Sequence, residues 1–128
     1  MKSTKDTVDS GVPEMKACRV FYFDAAHFLP NYKGKCESPH GHTYRLEVEV
    51  EGELGGGGMV LDFNEIKKVV EREVIEKLDH SSMNDVLPNP TSENITQWIW
   101  SKLEGKLPLS RVLLLEGEGK WEIGRAHV

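Results

Sequence analysis

Between Thr43 and Glu51 apolar and polar residues alternate without a break, with Tyr44, Leu46, Val48 and Val50 on one side and Arg45, Glu47 and Glu49 on the other. A period of two is that of a β-strand with one face buried and the other wet, and it fits no helix. Upstream, Ala17 to His27 is rich in aromatic and other β-favouring residues, and an unbroken strand there sets Phe21, Phe23, Ala25 and His27 on one face. Carrying the parity of the second strand backwards puts His42 on the apolar side, and His40 with it if the strand reaches that far. Three histidines then point where the apolar side chains point.

The remaining elements follow from punctuation and spacing. Residues 28–41 (FLPNYKGKCESPHG) have the Pro, Gly and Asn content of a long loop, and Gly55 to Gly58 make a turn. Asp62 followed by Glu65 is a capping-box pattern. Phe63, Ile66, Val70, Val74 and Leu78 then recur as one helical face, which predicts a helix over 62–78 that delivers Asp79 and His80. After VLPNPT, Thr91 or Ser92 can cap a second helix burying Ile95, Trp98, Ile99 and Leu103 and stopping near Gly105. Val112 to Leu115 is apolar on both faces, as in a buried strand, and ends at Glu116; Trp121 to Ile123 can form a short last strand. The order is ββααββ, an α+β chain. At 128 residues there is room for one domain, expected over 15–128, behind a polar tail at 1–14.

Charge and composition narrow the function. A formal net charge of -5 gives no basic field to gather nucleic-acid phosphates, so no nucleic-acid partner is expected. No run approaches the length of a membrane span, and the start MKSTKDTVDSG lacks the apolar centre of a secretory signal, so the expected location is cytoplasmic. Two cysteines in that compartment read as thiols. Cys18, in an apolar run, reads as a small core residue; Cys36 lies among polar residues near the histidines.

Catalytic zinc sites take three protein ligands and leave a position for water or substrate. His40 and His42, two apart on an extended segment, share a face, with Gly41 allowing close approach of the backbone, and His27 is the natural third ligand. Burying three imidazoles without partners would cost about 1–3 kcal/mol each, which a shared ion would offset. A nearby cation would lower the pKa of the Cys36 thiol; Cys36 could instead be a fourth ligand that closes the site. Glu37 is by default a solvated acid, although a carboxylate so near a metal can move a proton. Asp79 can orient an imidazole or simply complete the helix end with His80. Glu116 is either a strand-end charge or a carboxylate placed to grip an amidine-like group through two parallel hydrogen bonds.

FDAAH at 23–27, CESPHGHTY at 36–44, MVLDF at 59–63, LDHSSMN at 78–84, PTSEN at 90–94 and Glu116 together resemble the 6-pyruvoyltetrahydropterin synthase and 6-carboxytetrahydropterin synthase family. The resemblance implies the tunnelling fold: a four-stranded antiparallel sheet with two helices on one face, joined to other subunits' sheets in a barrel. A homo-oligomer, hexamer or tetramer, with active sites near subunit interfaces would follow. It implies that His27, His40 and His42 bind Zn2+, that Cys36 is the general base, and that Asp79 and His80 complete a proton relay. Glu116 would anchor the pterin ring, helped by Thr91 and Ser92. The implied substrate is 7,8-dihydroneopterin triphosphate.

Some relatives with a glutamate near position 37 in place of the cysteine resemble enzymes making 6-hydroxymethyl-7,8-dihydropterin for folate synthesis. This chain has both Cys36 and Glu37, which implies 6-carboxytetrahydropterin synthase activity, in the queuosine precursor pathway, with the hydroxymethyl product as a second activity. The alternative is the 6-pyruvoyl product. Gly117 departs from the family, where a threonine commonly follows the glutamate.

Two other readings compete. Gly34, His40, His42 and Glu47 approximate a cupin metal motif, but Glu47 falls on the face opposite His42 and two central helices do not suit so short a barrel. A closed zinc site with Cys36 as ligand would mark a binding module rather than an enzyme.

Overall fold

The computed structural model describes residues 14–30, 40–55, 57–117 and 119–125. Strand β1 (Glu14–His27) and strand β2 (His40–Glu53) pair antiparallel over their whole length, His27 opposite His40. Both are longer than the alternation alone marks out. The charged ends lack a buried face, but the backbone ladder carries them on.

Helix α1 (Phe63–Val70) starts at the N-cap Asp62, whose side chain accepts from the Asn64 N–H at 2.8 Å. It runs on through a π-helical turn (Glu71–Ile75) into α2 (Glu76–Leu78), so the predicted helix is one rod with a bulge in it. Ile66, Val70, Val74 and Leu78 are fully buried. Phe63, expected on that face, is 53% exposed, because the apolar stripe begins only one turn into the helix. Asp79 is extended, and the chain passes into a two-residue strand β3 (Ser81–Ser82) and a 3-10 turn (Met83–Asp85). Helix α3 (Ser92–Leu103) is capped by Thr91, whose hydroxyl accepts from the Asn94 N–H at 3.1 Å, and Gly105 leaves it at φ 81°. Its buried face takes Trp100 in place of Trp98, which sits half-buried at the rim under Lys102. Strands β4 (Leu109–Gly117) and β5 (Lys120–Gly124) complete the sheet.

The strand order is β3-β1-β2-β4-β5. The expected four-stranded antiparallel sheet is present, extended by β3, which runs parallel to β1 at Ala25 and Ala26. No sequence pattern announces a two-residue strand; it forms because the chain leaving Leu78 must cross the edge of β1. Tyr44, Leu46, Val48 and Val50 pack at 0% exposure beneath the helices, each burial worth about 1.5–3 kcal/mol. Cys18, expected in the core, is exposed: it shares the outward parity of Val20 and Tyr22 on β1. None of the described helices is long and apolar enough to cross a membrane.

Candidate metal centre

The register of β1 on β2 assembles the centre. His27 stands directly opposite His40, and His42 stands opposite Ala25, whose small side chain leaves room for three rings on the helix-covered face. The ring centroids are 4.6–5.2 Å apart, and one nitrogen from each ring falls within 4.8 Å of the others. His27 is 3% exposed, and its Nδ1 lies 2.7 Å from the Pro90 carbonyl. A carbonyl only accepts, so Nδ1 carries the proton and Nε2 presents its lone pair inward. That Nε2 lies 3.0 Å from Nε2 of His40, close to the ~3.4 Å separating donors on a tetrahedral ion with bonds of about 2.0–2.1 Å. Nε2 of His42 is buried with no hydrogen-bond partner among the described residues. The donor set and this orphaned nitrogen fit a zinc ion. Burial and then the neighbouring imidazoles push His42 below the ordinary histidine value, while the Glu116 carboxylate pulls the other way.

Glu116 reaches this centre from β4, where the register on β5 shifts between Leu115 and Gly117. Its Oε2 accepts from the Ser92 hydroxyl at 2.8 Å and lies 3.7 Å from Nε2 of His27 and 3.9 Å from Nε2 of His42. Of the expected substrate-binding residues, Glu116 and Ser92 are thus brought together. The Thr91 hydroxyl is taken up in capping α3. Tyr44 stacks on Phe23 at 5.0 Å, and its buried hydroxyl has no hydrogen-bond partner among the described residues. Burial, reinforced by Glu116, pushes its pKa well above the ordinary phenol range, so it stays a neutral O–H donor.

Asp79 and His80 form a second group. Nδ1 of His80 lies 3.2 Å from Oδ2 of Asp79. Asp24, on the face of β1 opposite His27, joins them, with donor atoms of Asp24, Asp79 and His80 all within 4.8 Å of one another. His80 adopts φ 58°, a left-handed conformation costing of order 1–3 kcal/mol in a non-glycine residue. Its side chain is 80% exposed at the edge of a shallow depression of about 460 Å³ that His42 also lines. Cys36 and Glu37 lie outside the described residues.

Four supporting residues escaped the sequence reading. The Pro90 carbonyl is invisible in a side-chain pattern, and Tyr44 reads simply as core. Asn84 brackets Phe28, its side chain accepting from the Phe28 N–H at 2.9 Å and donating to the Phe28 carbonyl at 3.0 Å. Asp24 was the one with a signal, being the single acid inside FYFDAAH. Glu47, the residue a cupin site would require, instead pairs with Arg45 and Arg111 away from the histidines.

The 6-pyruvoyl tetrahydropterin synthase family model matches residues 16–126. The chain is 46% identical over 110 residues to a dihydroneopterin monophosphate aldolase of Pyrococcus furiosus, covering 80% of this chain and 92% of that one. It is 43% identical over 91 residues to a 6-carboxy-5,6,7,8-tetrahydropterin synthase of Synechocystis, covering 66% and 70%. The solved structure of Caenorhabditis elegans 6-pyruvoyl tetrahydropterin synthase superimposes with a TM-score of 0.82 at 26% identity, covering 91% of this chain and 98% of that chain.

Proposed function

The chain belongs to the 6-pyruvoyl tetrahydropterin synthase family, and on that premise we propose that it is a zinc-dependent cytoplasmic enzyme acting on 7,8-dihydroneopterin triphosphate. Its main product is 6-carboxy-5,6,7,8-tetrahydropterin, on the route to queuosine, with 6-hydroxymethyl-7,8-dihydropterin, a folate precursor, as a second product. The observation that carries this reading is the convergence of the His27, His40 and His42 nitrogens beside a carboxylate already hydrogen-bonded to Ser92.

His27, His40 and His42 hold the metal. Bound there, zinc would serve as a Lewis acid towards the substrate's side-chain hydroxyls, easing loss of the adjacent carbon-bound and hydroxyl protons. Glu116 presents two carboxylate oxygens to the amidine-like edge of the pterin, and Ser92 fixes its orientation. Thr91 assists by holding the start of α3. Cys36 takes the carbon-bound proton and His80, oriented by Asp79, handles the second.

Asp24, which stands beside His80, and His27 project from opposite faces of β1, which suits a relay completed where subunits meet. The open edges of the sheet support the same homo-oligomer, hexamer or tetramer, with sheets joined in a barrel: Val20 and Tyr22 on β1 and Trp121 and Ile123 on β5 are exposed large apolar residues. The free Cys18 suits a reducing cytoplasm.

The Pyrococcus furiosus relative supports a second reading, in which aldol cleavage of a monophosphate ester to the hydroxymethyl product dominates. The 6-pyruvoyl product is the third possibility, supported by the Caenorhabditis elegans structure. Zinc-loaded protein should be incubated separately with dihydroneopterin triphosphate and monophosphate, and the products identified by mass. Conversion of neither ester would refute the reading. The Glu37→Ala variant is expected to lose the hydroxymethyl product and keep the carboxy product; equal loss of both would remove any separate role for Glu37.

A further inference from the structure

We propose that Asp24, held by Thr43, is a positioning residue for His80: its carboxylate stands, with that of Asp79, within 4.8 Å of a His80 ring nitrogen. This rests on the relay role assigned to His80 above. The backbone of Asp24 grips the 79–80 segment at two points: its N–H donates to Oδ1 of Asp79 at 3.0 Å, and its carbonyl accepts from the His80 N–H at 2.6 Å. Its side chain is fixed independently, Oδ1 accepting from the Thr43 hydroxyl at 2.5 Å across the directly opposed Asp24 and Thr43 pair.

The His80 backbone is held at φ 58°, a left-handed conformation that histidine enters more readily than most non-glycine residues, while its ring is 80% exposed. Little of that ring is buried by packing, so what the bonds secure is the ring's place at the depression shared with Gly41, His42 and Thr43. Thr43 follows His42 in β2, so one strand carries both a metal-facing imidazole and the hydroxyl that steadies the relay acid.

The test uses the zinc-loaded full chain and steady-state turnover of dihydroneopterin triphosphate. Asp24→Asn keeps the backbone bonds and the acceptor for Thr43 but removes the charge. The expected result is a kcat about ten-fold lower, from loss of one carboxylate charge beside the ring, with KM, zinc content and melting temperature unchanged. Thr43→Val should lower kcat in the same way, and Thr43→Ser, which keeps the donor, should restore it. In a His80→Ala background, Asp24→Asn should cost nothing further, because a residue that acts only through His80 has nothing left to position.

A wild-type kcat in Asp24→Asn beside an inactive His80→Ala overturns this inference alone. Losses that multiply in the double variant, or a Thr43→Ser protein as slow as Thr43→Val, overturn it as well. A His80→Ala protein with wild-type kcat overturns the relay reading itself and this inference with it.

Discussion

Replacing His27 by alanine separates a metal site from three rings that merely pack together. In metal-free protein the variant loses the bond to the Pro90 carbonyl, 2.7 Å long, and the contacts of a ring that is 3% exposed. One net hydrogen bond contributes about 0.5–1.5 kcal/mol, and with the lost packing the cost is about 1–3 kcal/mol. For 128 residues, unfolding entropy near 2.1 cal/mol/K per residue amounts to about 0.27 kcal/mol/K, so the metal-free variant should melt about 4–11 °C lower. Zinc acts through a different quantity. Free zinc at a hundred times its dissociation constant stabilises the wild type by about 2.7 kcal/mol, which on the same slope raises its melting temperature by about 10 °C. With His27 gone, that zinc-dependent rise should largely vanish over the same range of zinc. Calorimetry of chelator-stripped protein, repeated in buffers of defined free zinc, reads both numbers. A variant that keeps the full rise, or a wild type with none, would show that the three imidazoles do not form the site.

Other consequences can be checked separately. Burial lowers the pKa of His42 in the metal-free fold, so below the ordinary value of 6.5 the unfolded chain binds a proton that the folded chain resists. That contribution to stability is intact above pH 6.5 and is lost as pH falls below it; urea midpoints at pH 8 and pH 5.5 should differ by less in His42→Asn than in the wild type. Thr91→Ala removes the acceptor for the Asn94 N–H and should cost about 1 kcal/mol in chemical denaturation, with no change in metal content. Cys36→Ala should give a folded, zinc-loaded and nearly inactive protein, whereas release of zinc with unfolding would make Cys36 a structural ligand. Replacing Tyr22 and Trp121, exposed on the two sides of the sheet, each by lysine should shrink the particle seen by light scattering if the sheets join into a barrel. An unchanged mass would count against edge-to-edge assembly.

Alternation in β2 and helical spacing in α1 and α3 were enough to read the order of the main elements and most of the core. Those signals are local, because burial of one face repeats every two residues along a strand and every three or four along a helix. The same parity rule set His27, His40 and His42 on the apolar side. Cys18 departs from what its apolar neighbourhood suggests because strand parity sends it outward with Val20 and Tyr22. Phe63 misled for a related reason: a residue at the end of a periodic run carries the pattern without the partner surface.

Everything that depends on pairing between distant segments lay beyond the sequence. Which residue of β1 faces which of β2 is fixed by the whole ladder, and only that register sets His27 against His40 and leaves Ala25 to make room for His42. The Pro90 carbonyl that orients His27, the Ser92 hydroxyl on Glu116, and the strand β3 that brings Asp79 and His80 against Asp24 all join residues far apart in the chain. Composition and period named the groups able to do chemistry; the folded backbone chose which of them meet, because hydrogen bonds and coordination act over a few ångströms in space and take no account of separation along the chain.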